Sequence, residues 1–546
     1  MSLLTALYRS ACLRTIDHAL AESLRRLDPE TPDDVLAALA LASRASGEGH
    51  SCLPLAQAQA WLAELVVERD APTLPALMDW IPVLQASHWI ATGRIATLEG
   101  TNLFLRRYWN YETLLAAAVH ARVRGESPAD RLLLITGGPG TGKTTQAARA
   151  LAERVAHRVH PPRIALAAPT GKAASRLNEV VQQRLAELAD AGVAGAAFAR
   201  TLPIESATLH RLLGWRSDGT WARNADDPLP FDLIVVDEAS MVDLPMMLRL
   251  FEATPVDASL VLIGDRDQLP SVQAGDVLAA MCDAFPIATT QDDATTPRLH
   301  LTRVHRQADD TDIHAFATLV RDGRIDEGLD GLQAQAFRGV IWRPGSDRDL
   351  ADHLLAEAVP AYRALQQASD PAEALAKANA FRVLTAVRDG AAGSIALNAR
   401  LAQALDPGRR GDALFHGRLL LITQNSYRHG LYNGDVGIAW TDETGDTRVW
   451  FDSGGGLRAW RPSMLPGHED AFALTVHKAQ GSEFDRVLLA LPEHGARVLS
   501  RELLYTGLTR CRREIVLWAS EPVLRAAIER RAQRWSGLAK RLSDRT

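Results

Sequence analysis

A chain of 546 residues is too long for one small core and should hold about three to five structural units of roughly 100 to 200 residues each. Hydrophobic residues at 47% and charged residues at 23% exclude a disordered or collagen-like chain. The formal net charge of −6 leaves any contact with a polyanion to a locally basic groove.

Cys12, Cys52, Cys282 and Cys511 are too scattered for a C-x-x-C zinc or redox unit, and they read as free buried thiols in a reducing compartment. Arg9, Arg14 and Asp17 interrupt the apolar N-terminus before a signal-peptide core can form. No uncharged apolar run approaches the roughly 18 residues of a membrane span. The expectation is a soluble cytoplasmic protein with no membrane contact.

Residues 1–102 are Ala- and Leu-rich at helical spacing, punctuated by Pro54, Pro72, Pro75 and Pro82, and predict a helical domain for packing or partner binding. Trp61, Trp80 and Trp89 are candidate partner anchors there, and each serves equally well as core. From residue 103 short apolar runs alternate with amphipathic helices. Residues 132–136, 163–168, 233–236 and 260–264 are apolar on both faces and predict buried parallel strands. The resulting unit, residues 103–330, is a doubly wound α/β domain with its chemistry at the strands' carboxyl ends.

Gly137-Gly138-Pro139-Gly140-Thr141-Gly142-Lys143-Thr144, with Thr145 next, sits between the first of these strands and a helical stretch. It matches G-x-x-x-x-G-K-[ST] in the context that motif requires. Glycines let backbone N–H groups curl around phosphates at a helix N-terminus, Lys143 reaches the β- and γ-phosphates of ATP, and Thr144 binds Mg²⁺. Asp237 and Glu238 end the strand at 233–236. Beside a P-loop they read as a metal holder and a residue that orients or deprotonates the attacking water. Gln268 follows the next strand and could sense the γ-phosphate, or simply sit in a polar turn.

A second strand set, residues 382–386, 472–476, 486–490 and 515–519, predicts another doubly wound domain, split into 331–409 and 466–546. Between its parts, short strands joined by Asn433-Gly434, Glu443-Thr444-Gly445 and Gly454-Gly455-Gly456 turns predict a small β-barrel over 410–465. Tyr427, Arg428 and His429 are its candidate DNA contacts. Arg306 and Arg510 could act as arginine fingers in phosphoryl transfer, Arg510 reaching across from the second domain so that closure completes the site.

Seven segments occur in the order found in superfamily 1 helicases: the P-loop, Pro169-Thr170-Gly171-Lys172, Thr208-Leu209-His210, Asp237-Glu238-Ala239-Ser240, the segment ending in Gln268-Leu269, Thr475-Val476-His477-Lys478-Ala479-Gln480-Gly481, and Thr506-Gly507-Leu508-Thr509-Arg510. The chain resembles the RecD family within them, the α subunits of bacterial exodeoxyribonuclease V. That resemblance implies two RecA-like domains, an inserted SH3-like barrel and a 5′-to-3′ single-stranded DNA translocase and helicase that hydrolyses ATP with Mg²⁺. It implies work beside a nuclease–helicase β subunit and a scaffold γ subunit, of RecB and RecC type, in a heterotrimer for double-strand-break repair and recombination. It places Pro169, Thr170, Lys172, Thr208, His210, Thr475, His477 and Lys478 toward DNA, although Thr208 could equally cap a helix. The glutamine that often reads adenine upstream of the P-loop has no counterpart between Asn102 and Ile135, leaving Arg106, Tyr108 and Glu112 as candidates, and Cys511 stands where the family has alanine. A competing class is an interaction subunit whose ATPase only times assembly. No separate cluster of carboxylates supports a nuclease.

Overall fold

The computed structural model describes residues 2–66, 71–124, 127–156, 160–216, 218–288, 295–303, 311–408, 414–426, 428–452, 456–493 and 498–544. Its N-terminal region is helical. Asp33–Gly47, apolar nearly all round, forms the buried centre against which Thr15–Leu27 and Leu77–Ala86 pack. A feature absent from the helical expectation follows it: β1 (Leu53–Pro54), β2 (Ala96–Glu99) and β3 (Asn102–Leu105) form a small antiparallel sheet in the order β1-β3-β2. Trp61, Trp80 and Trp89 are not surface anchors. They are 8%, 1% and 8% exposed; Trp80 Nε1 donates to Asp34 O and Trp89 Nε1 to Thr31 Oγ1, which lets those two indoles bury their rings without stranding their N–H groups.

The first α/β unit is built on six parallel strands: β4 (Leu132–Gly137), β5 (Ile164–Ala168), β6 (Ile204–Thr208), β7 (Leu233–Val236), β8 (Ser259–Gly264) and β9 (Arg298–Leu301), in the order β6-β5-β7-β8-β4-β9. Ala165 and Ala167 enter one core and Ile164 and Leu166 the other, so the period-2 pleat of a fully apolar strand fills both faces.

Five parallel strands carry the second unit: β10 (Val340–Arg343), β11 (Phe381–Thr385), β17 (Ala473–Thr475), β18 (Phe484–Ala490) and β19 (Cys511–Trp518), in the order β10-β19-β18-β11-β17. Between β11 and β17 the chain builds an antiparallel sheet in the order β15-β14-β13-β12-β16. Its members are β12 (Leu419–Ile422), β13 (Val436–Thr441), β14 (Thr447–Asp452), β15 (Leu457–Trp460) and β16 (His468–Asp470). Leu420, Ile422, Val449, Phe451 and Trp460 give it a core of its own.

The C-terminal residues return across the molecule as a strap. The Arg530 carbonyl accepts the N–H of Arg501, and the N–H of Ala532 donates to Glu502, both in the second unit. From Arg534 onward the contacts change sides. Arg534 donates to the carbonyls of Glu48 and Ser271, Trp535 stacks on His50 with ring centroids 4.1 Å apart, and its N–H donates to His50 Nδ1 at 3.0 Å. Glu112, fully buried, collects the strap: it accepts from Ser51 Oγ (2.5 Å), Ser536 Oγ (2.7 Å), the Gly537 N–H (3.1 Å) and Arg541 Nε (3.3 Å). A buried carboxylate is tolerable because it is saturated with donors.

Candidate nucleotide site and nucleic-acid groove

The P-loop joins β4 to the helix Lys143–Ala156. Gly137, at φ +153°, needs to lack a side chain: a Cβ there would lie 2.5 Å from the carbonyl oxygen of Leu301 on β9. Gly140 and Gly142 take left-handed φ of +74° and +86°. Thr141 Oγ1 donates to Gly138 O at 2.8 Å, and the Lys143 ammonium donates to Gly137 O and Gly138 O at 2.7 and 2.8 Å, so the lysine lies along its own loop.

Asp237 and Glu238 follow β7, beside that loop. Burial pushes the Asp237 carboxyl up to about 6, the neighbouring Glu238 charge adds to this, and the Glu238 N–H it accepts at 2.8 Å together with the Lys143 charge opposes it. Glu238 itself has φ +52° and ψ +41°, a left-handed conformation that costs a non-glycine residue on the order of 1 kcal/mol or more. Gln268 is 5% exposed, and its Oε1 is a buried acceptor with no hydrogen-bond partner among the described residues.

These residues line one cavity of about 510 Å³, with residues 139–146, Asp237, Glu238, Asp265 and Gln268 from the first unit and Gly481, Glu483 and Arg510 from the second. Arg510 is 4% exposed and is held from behind by the Thr506 and Ser482 carbonyls and by Thr509 Oγ1, at 3.2, 3.4 and 3.3 Å. Arg306 lies outside the described residues.

The second unit grips the loop that carries Gln268. Tyr505 Oη donates to Asp265 Oδ2 at 3.0 Å, the Leu269 N–H donates to Thr506 Oγ1 at 2.9 Å, and Gln480 Nε2 donates to Leu269 O at 3.2 Å. Burial raises the Asp265 carboxyl and also the Tyr505 hydroxyl, whose proton the carboxylate helps to retain. These three bonds escaped the sequence reading because they join residues more than 200 positions apart. Arg176 and Glu483, paired at 2.8 Å across the two units, were missed for the same reason.

The adenine candidates are placed elsewhere. Arg106 stacks on Trp109 at 4.3 Å, Tyr108 meets Tyr111 edge-on, Glu112 anchors the strap, and none of the three lines the cavity. Arg106 donates to Thr97 of the N-terminal sheet, Glu112 is held by the strap, and Tyr108 packs against the core of the first α/β unit.

A second cavity, about 730 Å³, runs between the first unit and the antiparallel sheet, with Lys172, Thr208 and Arg211 on one wall and Tyr432, Asp435 and Trp460 on the other. Thr170 and Thr208 both cap helices, accepting from the Ala173 and Arg211 N–H groups at 3.3 Å; Pro169 precedes the first of these caps. His210 packs against Trp221, with centroids 5.7 Å apart, and burial lowers its pKa. Thr475 Oγ1 accepts from the Lys478 N–H at 3.3 Å, while the Lys478 ammonium pairs with Glu469. His477 is half-buried and its pKa falls through burial and then the charge of Arg534. Arg428 is exposed, His429 Nδ1 lies 2.9 Å from Ser426 Oγ, and Tyr427 is outside the described residues.

Glycines with left-handed φ, a lysine, the guanidinium groups of Arg176, Arg184 and Arg510 and four carboxylates around one cavity suit a magnesium-bound triphosphate: cations meet phosphate charge, Asp237 and Thr144 offer oxygens to a hard cation, and Gln268 keeps an acceptor ready.

The chain is similar to known proteins along nearly its whole length. Residues 9–103 match the family described as RecBCD enzyme subunit RecD, N-terminal domain; residues 120–339 match AAA domain; residues 470–518 match UvrD-like helicase C-terminal domain. The RecBCD enzyme subunit RecD of Mycobacterium tuberculosis H37Rv is 36% identical over 585 aligned positions, covering 99% of this chain and 96% of that one. Its namesake from Mycolicibacterium smegmatis is 37% identical and covers 99% of both chains. The ATP-dependent RecD2 DNA helicase of Deinococcus radiodurans is 35% identical over 72% of this chain and 47% of its own.

Proposed function

Since this chain belongs to the RecD family, we propose that it is an ATP-dependent DNA helicase subunit acting in recombination and repair, moving 5′ to 3′ along single-stranded DNA beside β and γ partners of RecB and RecC type. The observation that carries the motor reading is the single cavity to which Lys143 and Asp237 come from one unit and Arg510 from the other. Under this reading the two parallel-sheet units are RecA-like, and the antiparallel sheet between β11 and β17 is an SH3-like barrel facing the strand.

The residues then divide the work. Loop N–H groups and Lys143 bind the triphosphate, and Thr144 and Asp237 hold Mg²⁺, which neutralises phosphate charge when bound. Glu238 orients or deprotonates the attacking water, Gln268 answers to the γ-phosphate, and Arg510 meets the charge that spreads over it. Because Arg510 sits one position after Thr509 and four after Thr506, which accepts the Leu269 N–H, a shift of the second unit moves the guanidinium and the Gln268 loop together. The larger groove takes the DNA strand, with Lys172, Thr208 and Arg211 toward phosphates and Tyr432 and Trp460 as stacking surfaces.

The test is ATP hydrolysis by the full chain, alone and with its partners, with and without single-stranded DNA. DNA should stimulate the rate, the stimulation should weaken as salt rises, and Lys143→Gln should lower the rate by at least about 100-fold. A rate indifferent to DNA in the complex would remove the motor reading. Unwinding of 5′-tailed but not 3′-tailed duplexes is expected, and the reverse preference overturns the direction.

A further inference from the structure

Arg176 stands in the wall between the two cavities. Among the described residues it is the one that lines both the nucleotide cavity and the groove beside the antiparallel sheet. It lies on the helix Gly171–Asp190, one turn after Lys172, and its charge is near enough to Asp237 to favour that carboxyl's ionised form. Its guanidinium is held by the second unit, Nη2 donating to Glu483 Oε2 at 2.8 Å.

Glu483 does not depend on that bond. The same Oε2 accepts from Arg512 Nε and Nη2 at 3.1 and 2.9 Å. Withdrawing one partner from a buried carboxylate is normally costly because an uncompensated charge is left behind. Here Arg512 stays on the same oxygen, so Arg176 can leave Glu483 without stranding that carboxylate. A guanidinium also binds a phosphate in the same forked geometry that it uses for a carboxylate.

We propose that Arg176 exchanges Glu483 for the terminal phosphate of the bound triphosphate, making it a phosphate-contacting residue that joins the nucleotide cavity to the DNA groove. This rests on the nucleotide reading of the cavity. The exchange breaks one ion pair between the units only when a terminal phosphate is present, so ADP leaves Arg176 on Glu483. Lys172 and Ser175, on the same helix and in the groove wall, feel the change through the backbone that carries Arg176.

The experiment titrates the full chain with a fluorescent non-hydrolysable ATP analogue and with the matching ADP analogue, in Mg²⁺, for wild type, Arg176→Ala, Arg176→Lys and Glu483→Gln. Arg176→Ala should weaken the triphosphate about 10-fold with the diphosphate within about twofold, Arg176→Lys should recover part of the loss, and Glu483→Gln should tighten the triphosphate by freeing the arginine. Equal effects of Arg176→Ala on both nucleotides, or a Glu483→Gln variant that weakens the triphosphate as Arg176→Ala does, would make the pair a structural strut and overturn the assignment. Wild-type protein that binds neither nucleotide overturns the cavity reading itself. Binding of both with an unchanged preference in Arg176→Ala removes only the role given to Arg176.

Discussion

Glu238 holds a strained backbone beside Asp237, whose carboxyl is raised first by burial and then by the Glu238 charge. A strained carboxylate aimed into a nucleotide cavity is best explained by work on the water. Glu238→Gln keeps the size and the polar head but cannot take a proton. The expected result is a DNA-stimulated turnover lower by about 100-fold or more with triphosphate affinity nearly unchanged, read by steady-state hydrolysis and by nucleotide titration. At this scale the sequence was most informative. Residues 137–144 fold by local rules, so glycine spacing suffices to predict a loop between β4 and the helix Lys143–Ala156. Arg176 carried no such signal: an arginine on an amphipathic helix has many ordinary uses, and its partner lies 307 positions away.

Among elements, the three strands that the sequence missed in the parallel sheets share a cause. β6, β9 and β10 are all edges of their sheets, and residues such as Glu205, Ser206 and His300 break the continuous apolar run that marks a central strand. The strap was missed for a different reason: residues 530–537 are polar, and their hold comes from partners nearly 500 positions earlier. Its acid sensitivity follows from His50. Burial, with Arg534 nearby, depresses the imidazole to about 3 in the folded chain, against about 6.5 unfolded. The unfolded state therefore binds the extra proton first, and stability declines as pH drops below 6.5 until about 3. By pH 5 the loss from this one group is about 2 kcal/mol. His50→Gln, whose side-chain oxygen can still accept the Trp535 N–H, should flatten that part of the profile in denaturant unfolding measured from pH 7 to 5. An unchanged slope would mean that His50 charges freely in the fold.

Across the whole molecule, one loop of the first sheet unit makes three hydrogen bonds to the second. Tyr505→Phe deletes the donor to Asp265 without altering the ring that fills the cleft. A buried carboxylate that loses its donor costs roughly 1 to 3 kcal/mol. A lower unfolding midpoint is expected, together with a fall in the DNA-stimulated rate that exceeds the fall in the rate without DNA. Equal falls would indicate simple destabilisation. The division into two parallel-sheet units was readable from alternating apolar runs and helices, since each run must bury both faces. Their mutual orientation was not, because it depends on pairs such as Thr506 with Leu269 that no local pattern announces.

Glu112 has a history as well as a place. Its serine and arginine partners at positions 536 and 541 leave the ribosome more than 400 residues after it does, a delay of tens of seconds at roughly 5 to 20 residues per second. For that interval the carboxylate must remain in water or be shielded by another protein, so the early part of the chain waits, unfinished, for the late part during synthesis.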